Sequence, residues 1–117
     1  MGVRAATVRK LALVLPEAVE QETWDTPTFR VRKRIFAMFG DGGRELWIKS
    51  THDEQRALVQ MAPETFSVPP YVGPSGWVGV RIATVDRDEL AELLTEAWRM
   101  TAPKRLVAAF DAAEGVG

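Results

Sequence analysis

With 117 residues, 46% of them hydrophobic and 26% charged, the chain has the length of one domain and apolar material for one modest core. It has no cysteine and one histidine, His52, which excludes disulfides, thiol catalysis, thiolate metal sites and a His-rich metal site. The formal net charge of −1 argues against a dedicated polybasic nucleic-acid binder but leaves room for a local basic patch. The charges are unevenly placed. Glu17, Glu20, Glu22 and Asp25 precede the basic run Arg30, Arg32, Lys33 and Arg34, and Asp86, Asp88, Glu89, Glu92 and Glu96 load a late segment. No apolar run approaches a membrane span, and Arg9 and Lys10 interrupt any secretory leader, so a cytoplasmic, membrane-free protein is expected.

In chain order, Val8, Leu11, Ala12 and Leu15 follow helical spacing and predict a first helix that Pro16 ends. Val19–Trp24 alternates weakly. Thr28–Arg32 alternates clearly, with Phe29 and Val31 on one face and Arg30 and Arg32 on the other. Ile35–Phe39 is apolar on both faces, which suits a central strand covered on both sides. Asp41-Gly42-Gly43 predicts a hairpin turn into a strand from Arg44 to Lys49. Thr51 and Glu54 have capping-box spacing and predict a short helix through about Met61, closed by Pro63. Phe66–Gly76 reads as irregular, and Trp77–Ile82 as the next strand. Asp86 caps a strong helix, with Val85 and Leu90 as its hydrophobic staple and Leu90, Leu93, Leu94, Ala97 and Trp98 as its apolar stripe. Pro103 opens a last helix whose predicted buried stripe is Leu106, Ala109, Phe110 and Ala113, with fraying from Glu114 on. Strands grouped together between helices predict an α+β fold: one domain over 1–117, ordered from about 4 to 112, with an antiparallel sheet flanked by N- and C-terminal helices.

Chemistry can sit in few places. Arg30, Arg32, Trp47, Lys49, Trp77 and Arg81 share one sheet face if the strand parities hold, and aromatics interleaved with cations suit nucleic acid or a phosphorylated ligand. The alternative is that helices cover this face, so that the indoles are core and the cations snorkel at its rim. The hairpin Arg32-Lys33-Arg34 carries three cations where turn chemistry asks for none. It reads as a wing that neutralises phosphates, or as a solvated loop and partner for the acidic stretch Glu17–Asp25. Tyr71, held by Pro69 and Pro70, is a ligand contact or a packed ring. His52 reads as a cap-region residue rather than a general base. Gly73, Gly76 and Gly79 run into a strand and lack phosphate-cradling spacing. No nucleophile–base pair is visible, so no catalytic residue, metal site or cofactor is assigned.

Leu15-Pro16-Glu17, Thr28-Phe29-Arg30-Val31 leading to Ile35-Phe36-Ala37, Pro70-Tyr71 with Gly76-Trp77-Val78, and Trp98-Arg99 with Ala102-Pro103-Lys104-Arg105-Leu106 together resemble the MmcQ/YjbR family of small bacterial proteins. The resemblance implies a compact α+β domain related in shape to the frataxin-like CyaY fold. It also implies DNA binding through a double-wing surface. That role falls here on Arg30, Arg32, Lys33 and Arg34, with Lys49, Arg81 and Lys104 as further cations. The net charge and the acidic helix after Asp86 run against strong general DNA affinity, and Glu17, Glu20 and Glu22 are too few for the acidic ridge an iron site would need.

Two functional expectations follow. The first is a DNA-binding or transcription-associated module, a monomer that binds double-stranded DNA with steep salt dependence. The second is a non-catalytic small-molecule or protein-interaction domain with a pocket among Tyr71, Trp77, Trp47, Lys49 and Lys104.

Overall fold

The computed structural model describes residues 2–114. An extended start ties in through the Val3 N–H, which donates to the Ile82 carbonyl at 2.8 Å. Helix α1 (Ala5–Leu13) begins three residues before its first periodic apolar position and buries Val8 and Ala12. It stops short of Pro16 because the residue preceding a proline is pushed out of the helical region. The strands are β1 (Ala18–Thr23), β2 (Thr26–Val31), β3 (Arg34–Gly40), β4 (Glu45–Ile48), β5 (Phe66–Ser67) and β6 (Val78–Arg81). Helix α2 (His52–Met61) lies between β4 and β5, and α3 (Arg87–Thr101) and α4 (Lys104–Glu114) follow β6. The six strands form one sheet in the order β1-β2-β3-β4-β6-β5, and every neighbouring pair is antiparallel. The architecture is the α+β class expected, with two-residue β5 recovered from a stretch that reads as irregular.

Register separates the two faces of the sheet. Phe29 lies opposite Ala37, Ala37 opposite Ile48, and Ile48 opposite Val78. Phe39, Leu46, Val80 and Phe66 make the parallel row. All are buried and form one cluster with Val8 and Ala12 of α1 and Leu90, Leu94, Ala97 and Trp98 of α3. Each such side chain removed from water contributes about 1.5–3 kcal/mol before ordering entropy is counted, so this double row is the main source of cohesion. The opposite face carries Met38, Trp47 and Gly79 in one cross-strand row. Phe36 is buried as well, which agrees with a β3 apolar on both sides.

Local signals set the helix starts. Thr51 Oγ1 accepts the Glu54 N–H at 3.2 Å, and Asp86 Oδ2 accepts those of Asp88 and Glu89 at 3.0 and 3.2 Å. Such caps satisfy backbone donors that have no partner inside the helix. Val85 and Leu90, the staple pair, are both buried. Ala102 is extended before Pro103, which separates α3 from α4.

The last helix departs from expectation. Leu106, Val107 and Phe110 are partly buried, whereas Ala109 and Ala113 are exposed. Helix α4 rests on α3 through Phe110, whose ring centroid is 5.0 Å from that of Trp98, so a contact on one side replaces a full stripe. Glu114 is still helical, and the rest of the tail expected to fray lies outside the described residues.

Candidate ligand-binding groove

Both outer hairpins turn in two residues. Thr23 pairs with Thr26 across Trp24-Asp25, and Val31 pairs with Arg34 across Arg32-Lys33. All four turn residues have positive φ: 52° and 62° at Trp24 and Asp25, 50° and 71° at Arg32 and Lys33. Two-residue hairpins take this conformation because it matches strand twist, and they normally use Asn-Gly. A bulky residue there is an outlier, disfavoured by about 1–2 kcal/mol. Outside these two hairpins, Glu17 (φ 59°), Asp41 (φ 52°) and Tyr71 (φ 65°) also have positive φ, Tyr71 in a tight turn closed by the Val72 N–H on the Pro70 carbonyl at 2.6 Å.

Antiparallel connectivity places these turns. The β1–β2 turn and the β3–β4 turn (a 3-10 turn over Asp41–Gly43) share one end of the sheet, and the Arg32-Lys33 turn is at the other. At the first end an open cavity of about 820 Å³ runs between the two turns and over the sheet. Trp24 and Tyr71 both line it, at 90% and 91% exposure, and Met38, Trp47 and Gly40 lie behind them.

Trp47 is held by its neighbours. Its indole N–H donates to Glu45 Oε1 at 3.0 Å. Its ring lies against Gly40, where any Cβ would collide with it. Gly40 is therefore glycine because of a close approach and not because of its backbone angle, an extended φ of −147°.

The loop that carries Tyr71 is anchored to α2. Buried Gln55 donates through Nε2 to the carbonyls of Gly73 (2.9 Å) and Trp77 (2.6 Å). His52 Nε2 lies 2.7 Å from the Pro74 carbonyl, so it serves as a donor to the loop. Gly76, at φ 94°, sits so close to the start of α2 that a Cβ would be 2.9 Å from the His52 nitrogen. The glycines and prolines of this stretch shape the loop, and α2 holds it in place.

The predicted cations do not gather in one place. Arg30 donates to Thr28 Oγ1 (3.2 Å), Thr23 Oγ1 (2.9 Å) and the Lys33 carbonyl (3.1 Å), bracing its own hairpin. Arg32 holds Glu17 with both arms of its guanidinium, the second contact at 3.1 Å. That pairing keeps the Glu17 carboxyl below the usual carboxylate range, chiefly through the hydrogen bonds, with desolvation opposing and charge attraction adding, and raises Arg32. Lys33 and Arg34 are exposed and have no ion-pair partner among the described residues.

Lys49 lies near the same end, its N–H bonded to the Phe36 carbonyl. Arg81 is at the groove end, across from Glu45, and Lys104 is on α4. Of the pocket expected around Tyr71, the cavity takes in Tyr71 and Trp47. Trp77, Lys49 and Lys104 are not among its walls. Lys49 and Trp77 come just past the paired ends of β4 and β6, away from the β1–β2 and β3–β4 turns, with Trp77 tied by its carbonyl to Gln55, and Lys104 is on α4. Trp24 was not among the expected site residues. The signal for it was a Trp-Asp pair between two alternating segments, a pair no turn type prefers.

Known proteins share this architecture. The crystal structure of Deinococcus radiodurans protein DR2400, a DUF419 domain, superposes with a TM-score of 0.74 at 23% identity, over 83% of this chain and 77% of that one. This likeness establishes the fold. The uncharacterised proteins Rv2570 of Mycobacterium tuberculosis and Mb2600 of Mycobacterium bovis are each 42% identical over 59 residues. That match takes in 50% of this chain and 46% of theirs, so the chain spans less than half the length of these relatives. The YjbR family model matches residues 13–100, from the end of α1 to the end of α3 and through the whole sheet, and the chain belongs to the YjbR family.

Proposed function

We propose that the chain is a non-catalytic binding module that receives a ligand, or a short segment of a partner, in the groove between Trp24 and Tyr71. The observation that carries this is the convergence of two almost fully exposed aromatic side chains, both at strained backbone positions, on one cavity. Leaving such rings in water forgoes about 1.5–3 kcal/mol each, and strain of this kind collects at binding sites. The volume of about 820 Å³ is within the ordinary range for small-molecule sites. The test is ligand-observed NMR with a library of apolar and aromatic fragments, comparing wild type with the Trp24→Ala, Tyr71→Ala double variant. Hits should bind wild type and be lost in the variant. Hits that bind both equally, or no hits at all, overturn the reading.

A second reading, binding of double-stranded DNA, is favoured by a separate observation: Lys33 in the turn and Arg34 at the start of β3 are exposed with no ion-pair partner among the described residues, with Lys49 near that end. With Arg30 bonded to its neighbours and Arg32 paired at the surface with Glu17, only a few phosphate contacts are on offer without a competing partner. Affinity would be modest and fall with salt at a slope of about −0.9 per phosphate neutralised. Replacing Lys33 and Arg34 by Ser should remove most of it, and unchanged binding by that variant rejects the reading.

A further inference from the structure

We infer that the groove selects a cation with an apolar body, such as a quaternary or alkyl ammonium group, an inference that rests on the groove reading proposed above. Trp24, Trp47 and Tyr71 all line the groove, and the negative potential of an aromatic face attracts a cation seated over it. Trp47 adds to this, because donating its indole N–H to the Glu45 carboxylate fixes the ring and enriches its π-system. The charges point the same way. Asp25 and Asp41 are in the wall, and Asp25 has no ion-pair partner among the described residues.

Among the described residues the one cationic side chain in the wall, Arg9, is paired with Glu20. Arg9 donates through Nε to both carboxylate oxygens of Glu20, at 3.0 and 3.1 Å, and its guanidinium lies 5.4 Å from the centre of the Phe39 ring. Asp41 is shared with Arg44 at 3.4 Å, an exposed pair that an incoming cation can displace at little cost. An anionic ligand would have to compete with Glu20 for Arg9 and would face two carboxylates in the wall. A neutral apolar ligand would leave the carboxylates unused. A cation with methyl or methylene groups satisfies both the rings and the carboxylates.

The test is titration of choline against its neutral carbon isostere, dimethylbutanol, following the backbone amide signals of Trp24, Asp25 and Tyr71. The two probes have the same shape and differ in charge. Choline should bind about fivefold more tightly, the worth of one solvent-exposed cation–π contact. Trp24→Leu, which keeps an apolar side chain and removes the indole, should reduce that preference at least about twofold. Asp25→Asn should weaken choline alone, and Tyr71→Phe should leave it intact. Equal or tighter binding of the isostere overturns the cation inference and leaves the groove reading standing. If neither probe shifts the groove signals, the cation inference fails, and the fragment screen separately decides whether the groove binds anything. Trp24 and Asp25 are exposed turn residues, so loss of binding in their variants is separable from unfolding by the amide spectrum itself.

Discussion

Positive φ is the residue-scale property with the clearest consequence. Glycine relieves the left-handed penalty of about 1–2 kcal/mol but adds about 0.4–1 kcal/mol of unfolded-chain entropy. Lys33→Gly should therefore stabilise the protein by about 0.5–1 kcal/mol in urea unfolding, since Lys33 (φ 71°) has no ion pair to lose among the described residues. Trp24→Gly should be at least as stable as wild type while losing groove binding, the pattern expected where stability has been given up for function. A Trp24→Gly protein that is clearly less stable would show that the indole has a structural role instead. Glu17 supplies a pH prediction. Its folded pKa is lowered by Arg32, so the pair's contribution is complete above the unfolded carboxylate value and is lost as pH falls through the lowered folded value. Carboxyl NMR should find Glu17 titrating below the ordinary range, and Arg32→Gln should return it there. With both groups exposed, the effect on stability is small.

Elements are set by signals within one turn of helix or one strand pair. Asp86→Ala removes the acceptor for two N–H groups of α3 and should lower stability by about 1 kcal/mol in denaturant titration. Gln55 works over a longer range: its amide satisfies two carbonyls of the loop that carries Tyr71. Gln55→Leu should cost about 1–3 kcal/mol and speed amide exchange at Gly73 to Trp77. No change in exchange there would mean that the loop is held by its own turns. The caps at Thr51 and Asp86 and the stripe of α3 are legible in the sequence because their partners lie two to four residues away. The role of Gln55 is not, because its acceptors lie 18 and 22 residues on. The stripe of α4 was read too broadly for a related reason: periodicity reports which side of a helix is apolar, not how much of it finds a neighbour.

For the molecule as a whole, the alternation of strand direction separates the two candidate surfaces. The cavity opens at the β1–β2 and β3–β4 turns, across the sheet from the Lys33-Arg34 turn, while the β5–β6 loop that brings Tyr71 to it leaves the sheet at the Lys33-Arg34 end. Variants at the two ends should therefore behave independently. The Trp24→Ala, Tyr71→Ala double variant should lose fragment binding with any DNA affinity unchanged, and Lys33→Ser with Arg34→Ser should do the reverse. Cross-effects in calorimetric titrations would place both ends in one binding surface.

The α+β class, most strand positions, the helix caps and the buried faces of β2, β3 and α3 followed from the sequence alone, because period and capping act over a few residues. Family membership was legible in the order of short motifs along the chain. The tertiary structure decided which cations are free and where the groove opens. Arg32 meets Glu17 across 15 residues, and Trp24 and Tyr71 reach one cavity from segments far apart in the chain. Register and strand order bring such groups together, and both are set by pairing over distances that no local pattern records.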